Sequence, residues 1–145
     1  MTIRTLIGAA AFSVAASVAL AGETHHIAFH VDEGDAQVMN LTLNNAANVR
    51  SYYAAKGEEV VIEIVTYGPG LTMLLEGRSP VADRLATMTL EMGDALTLSA
   101  CGNTHKKMSE AAGTELALLD GVEMTPSGVV RLIELQEQGY AYVKP

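Results

Sequence analysis

Hydrophobic residues recur along the chain with two periods that alternate from one segment to the next. Apolar side chains occupy every second position in Thr24–Val31 and Leu96–Ala100, and Glu59–Tyr67 is an almost continuous β-branched run. The alternation predicts strands, and the continuous run is typical of a central strand covered on both faces. Between these segments, apolar residues spaced three and four apart predict helices. Predicted helices cover residues 36–56, 71–76, 81–92, 105–112 and 126–138, and two further short strands cover 122–124 and 140–143.

Polar and turn-forming residues mark the ends of these elements. Asp35 is the expected N-cap of the first long helix, which Gly57 ends, and Ser79 caps the helix that Gly93 ends. Strands and helices therefore alternate throughout the patterned part of the chain. This order predicts an α/β fold, namely a doubly wound, mostly parallel five-stranded sheet with helices on both faces.

The first 21 residues follow neither pattern. Arg4 supplies a positive charge, residues 6–20 are predominantly apolar, and Ala19-Leu20-Ala21 ends the run with small residues. This arrangement predicts a secretory signal peptide over residues 1–21, cleaved after Ala21, because the apolar run is short and alanine-rich for a membrane-spanning helix. The expected mature protein is a single domain, residues 22–145, exported to a periplasm and not associated with a membrane.

Acidic residues clearly outnumber basic ones. The chain has 17 Asp and Glu against 9 Lys and Arg, and its formal net charge is −8 at pH 7. Loss of Arg4 with the signal peptide makes the mature protein more negative still. Nucleic acids and anionic lipid surfaces are bound through cationic side chains. The composition therefore argues against both as partners.

The single cysteine, Cys101, follows a predicted strand and precedes a predicted helix. The free amides and the positive dipole end of a helix N-terminus stabilise a thiolate. Gly102, Asn103 and Thr104 offer donors to the sulfur, and two lysines follow His105. One cysteine cannot form an internal disulfide. The pattern leaves two alternatives open, a reactive thiol or a small buried hydrophobic residue.

Three predicted strands end in polar or glycine-rich segments. Parallel strands bring their carboxyl ends to one rim of the sheet, which is where open α/β sheets bind ligands. The candidate ligand-binding residues around a catalytic Cys101 are those that these segments present: His30, Asp32, Tyr67, Gly68, Gly70, Gly102, Asn103, Thr104 and His105.

The histidines and glycines of this part of the chain offer a second interpretation, a metal or cofactor site. His26 and His30 share a face of one strand, but four residues of strand separate their Cα atoms by about 13 Å, too far for one ion. His30 with Asp32 is closer, yet no known ligand spacing is present. Gly68-Pro69-Gly70 lacks the Lys-Ser/Thr of a phosphate-binding loop, and the dinucleotide fingerprint is missing. We therefore expect no metal and no cofactor.

Five segments carry a resemblance to a known family: Phe29–Asp32, Leu43–Ala46, Tyr67–Gly70, Ala100–Thr104 and Gln136–Tyr142. They are similar to the exported branch of the DsrE/DsrF-like proteins. The resemblance covers essentially all of residues 25–145 and is most specific at Ala100–Thr104 and Tyr67–Gly70. It implies a small flavodoxin-like domain that forms trimers or hexamers. It also implies kinship with sulfur-relay proteins, in which a cysteine accepts sulfur as a persulfide and passes it on.

Within this resemblance Cys101 matches the family's cysteine, whereas His105 stands where methionine is expected. Asn45, in the second segment, could hydrogen-bond a neighbouring loop or subunit and is a further candidate binding residue. The predicted function is thus a periplasmic, thiol-based sulfur carrier whose partners are sulfur donor and acceptor proteins or small thiols. The alternative is a non-catalytic oligomeric binding or assembly module in which Cys101 is packed.

Overall fold

A computed structural model of the chain describes residues 22–145, and the predicted signal peptide lies outside the described residues. Five strands form one sheet in the order β4-β3-β2-β1-β5, and every neighbouring pair is parallel. The strands are β1 (Thr24–Val31), β2 (Glu59–Thr66), β3 (Leu96–Cys101), β4 (Val122–Thr125) and β5 (Ala141–Val143). The structure therefore confirms the predicted α/β class, and the sheet is wholly parallel.

Four α-helices and two short 3₁₀ segments connect the strands. The α-helices are α1 (Ala36–Ala54), α2 (Ala82–Met92), α3 (Gly102–Ala112) and α4 (Gly128–Glu137), and the 3₁₀ segments are Gly68–Leu74 and Gly93–Ala95. Asp35 caps α1 as predicted, since its side chain accepts the Gln37 amide at 2.7 Å. None of the helices within residues 22–145 has the length and apolar character needed to span a bilayer.

The strand order assigns the helices to two faces. The chain steps from β1 to β2, β3 and β4 in one direction, and right-handed crossovers then put α1, α2 and α3 on the same face. The last crossover returns past the whole sheet to β5, so α4 covers the opposite face. The main apolar cluster, which includes Phe29, Leu43, Ile64 and Leu85, lies on the first face. The second face has a small cluster of Ala28, Val65, Leu132 and Leu135.

Alternation along β3 decides which face receives the cysteine. Ala100 belongs to the main apolar cluster. Ser99 and Cys101, one residue before and after it, point to the opposite face, towards α4. Their neighbours confirm this direction, because Ser99 bonds a carboxylate that α4 also contacts, and Cys101 lies against Gly128 at the start of α4.

Three predicted boundaries were wrong. The helix after Cys101 begins at Gly102, three residues earlier than predicted, so the turn-like sequence Gly-Asn-Thr is its first turn. The cap of α2 is Val81, and Ser79 instead accepts the Val81 amide at 3.3 Å through its hydroxyl. The short helix predicted over residues 71–76 is a 3₁₀ segment that starts at Gly68, directly after β2.

Candidate functional site

Cys101 is both the last residue of β3 and the N-cap of α3, with extended backbone angles (φ −69°, ψ 114°). The residue is 5% exposed. Because α3 begins immediately after it, the amides of the first helical turn lie closer to the sulfur than a loop of three residues would place them. The structure therefore puts the thiol directly at a helix N-terminus.

A second helix also begins at this thiol. Gly128, the first residue of α4, lies so close to Cys101 that an added Cβ would be 3.2 Å from the Cys101 Cβ. The chain reaches this point from the end of β4, where Thr125 pairs with Cys101. The N-terminal ends of α3 and α4 thus meet at one cysteine, and both present partial positive charge to it.

These surroundings decide the ionisation of Cys101. Burial raises the pKa of the thiol, but the Thr104 hydroxyl and the amides of Gly128, Thr104 and Asn103 together outweigh burial and lower the pKa below its ordinary value. Among the described residues no amide makes a regular cap hydrogen bond to Sγ, and that of Asn103 donates to the Pro126 carbonyl at 3.3 Å. The amides therefore act mainly through their dipoles and long contacts, and among the groups that lower the pKa the Thr104 hydroxyl has the largest effect.

The Tyr67–Gly70 turn supports the cysteine from the neighbouring strand. The Gly68 amide donates to the Thr104 hydroxyl oxygen at 3.0 Å, which leaves the hydroxyl proton free for the sulfur. Gly70 lies against the end of β1, where an added Cβ would be 2.3 Å from the Val31 carbonyl oxygen. Its amide donates to the Asp32 carbonyl at 3.1 Å. These glycines hold three strand ends together at one rim.

Tyr67 lies between the cysteine and a histidine. Its Cδ1 would be 3.0 Å from a Cβ on Gly128, beside Cys101, and its ring stacks on that of His30 with centroids 4.6 Å apart. Burial is the largest influence on Tyr67, and with the negative charge of Asp32 it raises the pKa of the phenol. Tyr67 therefore remains a neutral hydrogen-bonding group near the thiol.

His30 is 5% exposed, and its Nδ1 lies 2.7 Å from the hydroxyl of Tyr142 on β5. Its Nε2 lies 3.8 Å from Oδ2 of Asp32, whose carboxylate accepts from Lys144 at 2.9 Å. Among the described residues, His30 Nε2 and Asp32 Oδ1 are buried without a hydrogen-bond partner. A buried polar atom without a partner is costly, so these two atoms are positioned to bind a polar ligand or a water molecule.

The charges in this cluster follow from burial and pairing. Burial lowers the pKa of His30, an effect that Asp32 opposes and Lys144 reinforces. The bond from Lys144 lowers the pKa of Asp32. At neutral pH the cluster therefore consists of a neutral imidazole, a carboxylate and an ammonium group. Among the described residues, no three His, Cys, Asp or Glu side chains come together as metal ligands would.

Two of the predicted residues lie away from the thiol. The His105 ring is turned towards the segment after α3, where its Nε2 lies 2.6 Å from the Leu116 carbonyl oxygen. Asn45 lies on α1, which packs on the face of the sheet opposite to Cys101. The structure brings together the other predicted residues, which share the rim formed by β1, β2 and β3.

Sequence reasoning missed three contributors to this rim: Gly128, Tyr142 and Lys144. The only local signal for Gly128 is its place after Pro126-Ser127 at a predicted helix start. Tyr142 and Lys144 reach His30 and Asp32 because β5 pairs with β1. No sequence pattern within β5 indicates that pairing.

Comparisons with known proteins agree with this architecture. A model of the DsrE/DsrF-like family matches residues 7–145. The solved structure of a protein of unknown function, MTH1491 from Methanobacterium thermoautotrophicum, is similar, with 29% identity and a TM-score of 0.67 over 83% of this chain and 99% of that one. The ychN protein from E. coli shares the fold, with 16% identity and a TM-score of 0.62 over the same shares of the two chains. No curated protein matches significantly. The chain belongs to the DsrE/DsrF-like family, which is generally linked to sulfur relay.

Proposed function

We propose that the protein is a sulfur carrier in which Cys101 holds one sulfur atom as a persulfide. The observation that carries this proposal is the meeting of two helix N-termini and the Thr104 hydroxyl at a single cysteine. A lowered pKa increases the thiolate fraction near neutral pH, and a thiolate is a nucleophile when it accepts sulfur and a good leaving group when it gives sulfur away. Both halves of a relay need that property.

The transfer involves two exchanges at sulfur and no net oxidation. In the first, the Cys101 thiolate attacks the outer sulfur of a donor persulfide, a new S–S bond forms, and the donor leaves as its thiolate. In the second, an acceptor thiolate attacks the outer sulfur on Cys101, and Cys101 leaves as a thiolate again. The chain has one cysteine, so the acceptor is a separate molecule.

The electrostatic environment of the rim also favours a persulfide on Cys101, which is the cargo of the carrier. A persulfide is anionic, and the amides at the start of α3 and α4 face the place where its charge develops. The low exposure of Cys101 favours a donor that presents its sulfur at the end of a slender or protruding group. We propose that donors and acceptors are small thiols or proteins with a protruding cysteine.

We further propose that the protein works in the periplasm, after cleavage behind Ala21, and as a homo-oligomer. Support for assembly comes from the outer side of α4, where Val129, Val130 and Ile133 are each about half exposed, at 52%, 48% and 50%. Exposed apolar side chains concentrated on one helix are typical of a protein–protein contact. The same surface supports the second candidate function, an assembly module with a packed Cys101.

Intact-mass measurement tests the carrier function. The purified protein is incubated with a persulfide donor, and we expect a mass increase of one sulfur atom that a thiol acceptor then removes. Cys101→Ser is the matched control and should gain nothing. If several donors leave the wild-type mass unchanged and Cys101 reacts with thiol reagents only after unfolding, the assembly module is the better account.

A further inference from the structure

A buried carboxylate lies under α4, on the same face of the sheet as Cys101. Glu63 on β2 is 2% exposed, although it belongs to an otherwise apolar run. Arg131 on α4 donates to it twice, from Nε to Oε1 and from Nη2 to Oε2, at 2.7 Å each. The Ser99 hydroxyl on β3 adds a third bond to Oε1 at 2.6 Å. The cluster therefore ties α4 to the two central strands.

This cluster lies on the same face as the thiol but further along the strands from the rim of the sheet. Ser99 precedes Cys101 by two residues on the same face of β3, so it lies about 7 Å further from the rim. Arg131 follows Gly128 by three residues, about one turn along α4. Glu63 and Ser99 thus hold the first turn of α4 at the same end of the sheet where Gly128 meets Cys101.

Stability alone does not account for an ion pair in this place. Replacing buried ion pairs by apolar residues of similar volume is often neutral or stabilising, because desolvating two charges is costly. A bidentate arginine–carboxylate pair does, however, fix the relative orientation of the two elements that it joins, here α4 and β2. The apolar contacts between α4 and the sheet are few: Leu132 and Leu135 meet Ala28 and Val65, and Tyr67 and Tyr140 pack against them. Apolar contacts are not directional, so these few do not by themselves fix the position of the helix along the strands.

The approach at Gly128 is close enough for such sliding to matter. An added Cβ would be 3.0 Å from the Tyr67 ring and 3.2 Å from the Cys101 Cβ, so the backbone of α4 is already in contact with the site. The effect of an amide dipole on a thiolate falls off within the first turn of a helix. A small displacement of α4 would therefore withdraw its amide from the sulfur.

We propose that Glu63, Arg131 and Ser99 are positioning residues, which hold the first turn of α4 against Cys101 and thereby keep the Gly128 amide directed at the sulfur. None of the three needs to touch the cargo. The pair is electrically balanced, so its influence on the thiol passes through the placement of the helix and not through its own charge.

The elements around the site carry other titratable and charged groups, which the test must leave unchanged. They are Tyr67 after β2, His30 and Asp32 on and after β1, Tyr142 and Lys144 at β5, Glu134 beside Arg131 on α4, Glu123 on β4, and His105, Lys106 and Lys107 on α3. The variants below leave all of them in place.

The test measures the rate of alkylation of Cys101 by iodoacetamide as a function of pH, without any sulfur donor. In Arg131→Lys the positive charge stays and the bidentate interaction is lost. We expect the apparent pKa of the thiol to rise by about half a unit, so that at pH values below this pKa the thiolate fraction is about threefold lower than in the wild type. Glu63→Leu combined with Arg131→Met removes both charges together and should shift the pKa in the same direction. Arg50→Lys, in an exposed pair with Glu91, is the matched control and should change nothing.

Circular dichroism and thermal melting establish that each variant is folded. A folded Arg131→Lys protein with the wild-type pH profile would overturn the proposal, whatever its melting temperature. If the double variant does not fold, the profile of Arg131→Lys decides alone. This inference rests on the thiol site of the proposed function, but the two are tested separately. The change in pKa is measured without a sulfur donor, so it can be present or absent whether or not the protein carries a persulfide.

Discussion

The amide of Gly68 and the hydroxyl of Thr104 are joined by a hydrogen bond of 3.0 Å. Gly68 follows β2 with a left-handed backbone (φ 52°), and Thr104 lies in the first turn of α3, after β3. Because Gly68 supplies the donor, the Thr104 oxygen is engaged as an acceptor and its proton is available to Cys101. The bond thus connects the two most distinctive segments of the sequence through a single oxygen atom.

Thr104→Val tests this connection. The valine keeps the shape of the side chain and removes the hydroxyl, so we expect the pKa of Cys101 to rise towards its ordinary value and alkylation near neutral pH to slow. The Gly68 amide loses its acceptor, which should lower the free energy of unfolding by about 1–3 kcal/mol. Thr104→Ser keeps the hydroxyl and is the control. An unchanged pH profile in Thr104→Val would mean that the backbone amides alone set the ionisation.

Gly70→Ala tests the close approach of the rim segments. The added Cβ would be 2.3 Å from the Val31 carbonyl oxygen, so the backbone must shift, and we expect a loss of about 1–3 kcal/mol in the free energy of unfolding. Gly34→Ala is the matched control, because its Cβ would meet Pro69 at an ordinary 3.4 Å. Denaturant unfolding compares the two. Equal stabilities would show that the turn after β2 has room to move.

The pH dependence of stability reports on His30. Burial holds the pKa of this histidine below its unfolded value of about 6.5, so protonation favours the unfolded chain. The contribution of neutral His30 is complete above pH 6.5 and is lost as the pH falls through the lower, folded pKa. At pH values below 6.5, we expect the melting temperature of the wild type to decrease with falling pH more steeply than that of His30→Gln, whose side chain cannot titrate. Parallel curves for the two proteins would contradict this.

Lys144→Gln tests how the charge of Lys144 affects the pKa values of Asp32 and His30. Lys144 lowers the pKa of both Asp32 and His30, so its removal should raise both values. NMR titration of the imidazole and carboxyl signals measures the two shifts directly. Lys106→Gln removes an equal charge on the exposed side of α3, where Lys106 is paired with Glu110 at 3.9 Å, and should leave both groups unchanged.

The sequence predicted the parts of the fold that local patterns encode. Apolar alternation located β1 and β3, and a continuous β-branched run located β2. The rule that parallel strands share a rim then brought His30, Tyr67 and Cys101 together. The start of α3 was misplaced because glycine, asparagine and threonine are common both in turns and at the first positions of helices.

The remainder depends on strand order, which no local pattern encodes. Only the long crossover to β5 puts α4 on the face of Cys101 and brings Tyr142 and Lys144 beside β1. Glu63 is a carboxylate inside an apolar run, but its partner Arg131 lies 68 residues away in the sequence. Those contacts could be recognised only once the topology was known.

The convergence of α3 and α4 on one sulfur has a consequence for the newly made polypeptide. The two helices follow different strands, so neither an unfolded chain nor one with a single helix docked can present both amide groups to Cys101. An unfolded chain carries an ordinary, mostly protonated sulfhydryl at neutral pH. Folding of α3 brings the Thr104 hydroxyl and the amides of Asn103 and Thr104 to the sulfur, and the Gly128 amide joins them only when α4 docks, so the full acidity of this cysteine is acquired with the complete tertiary structure.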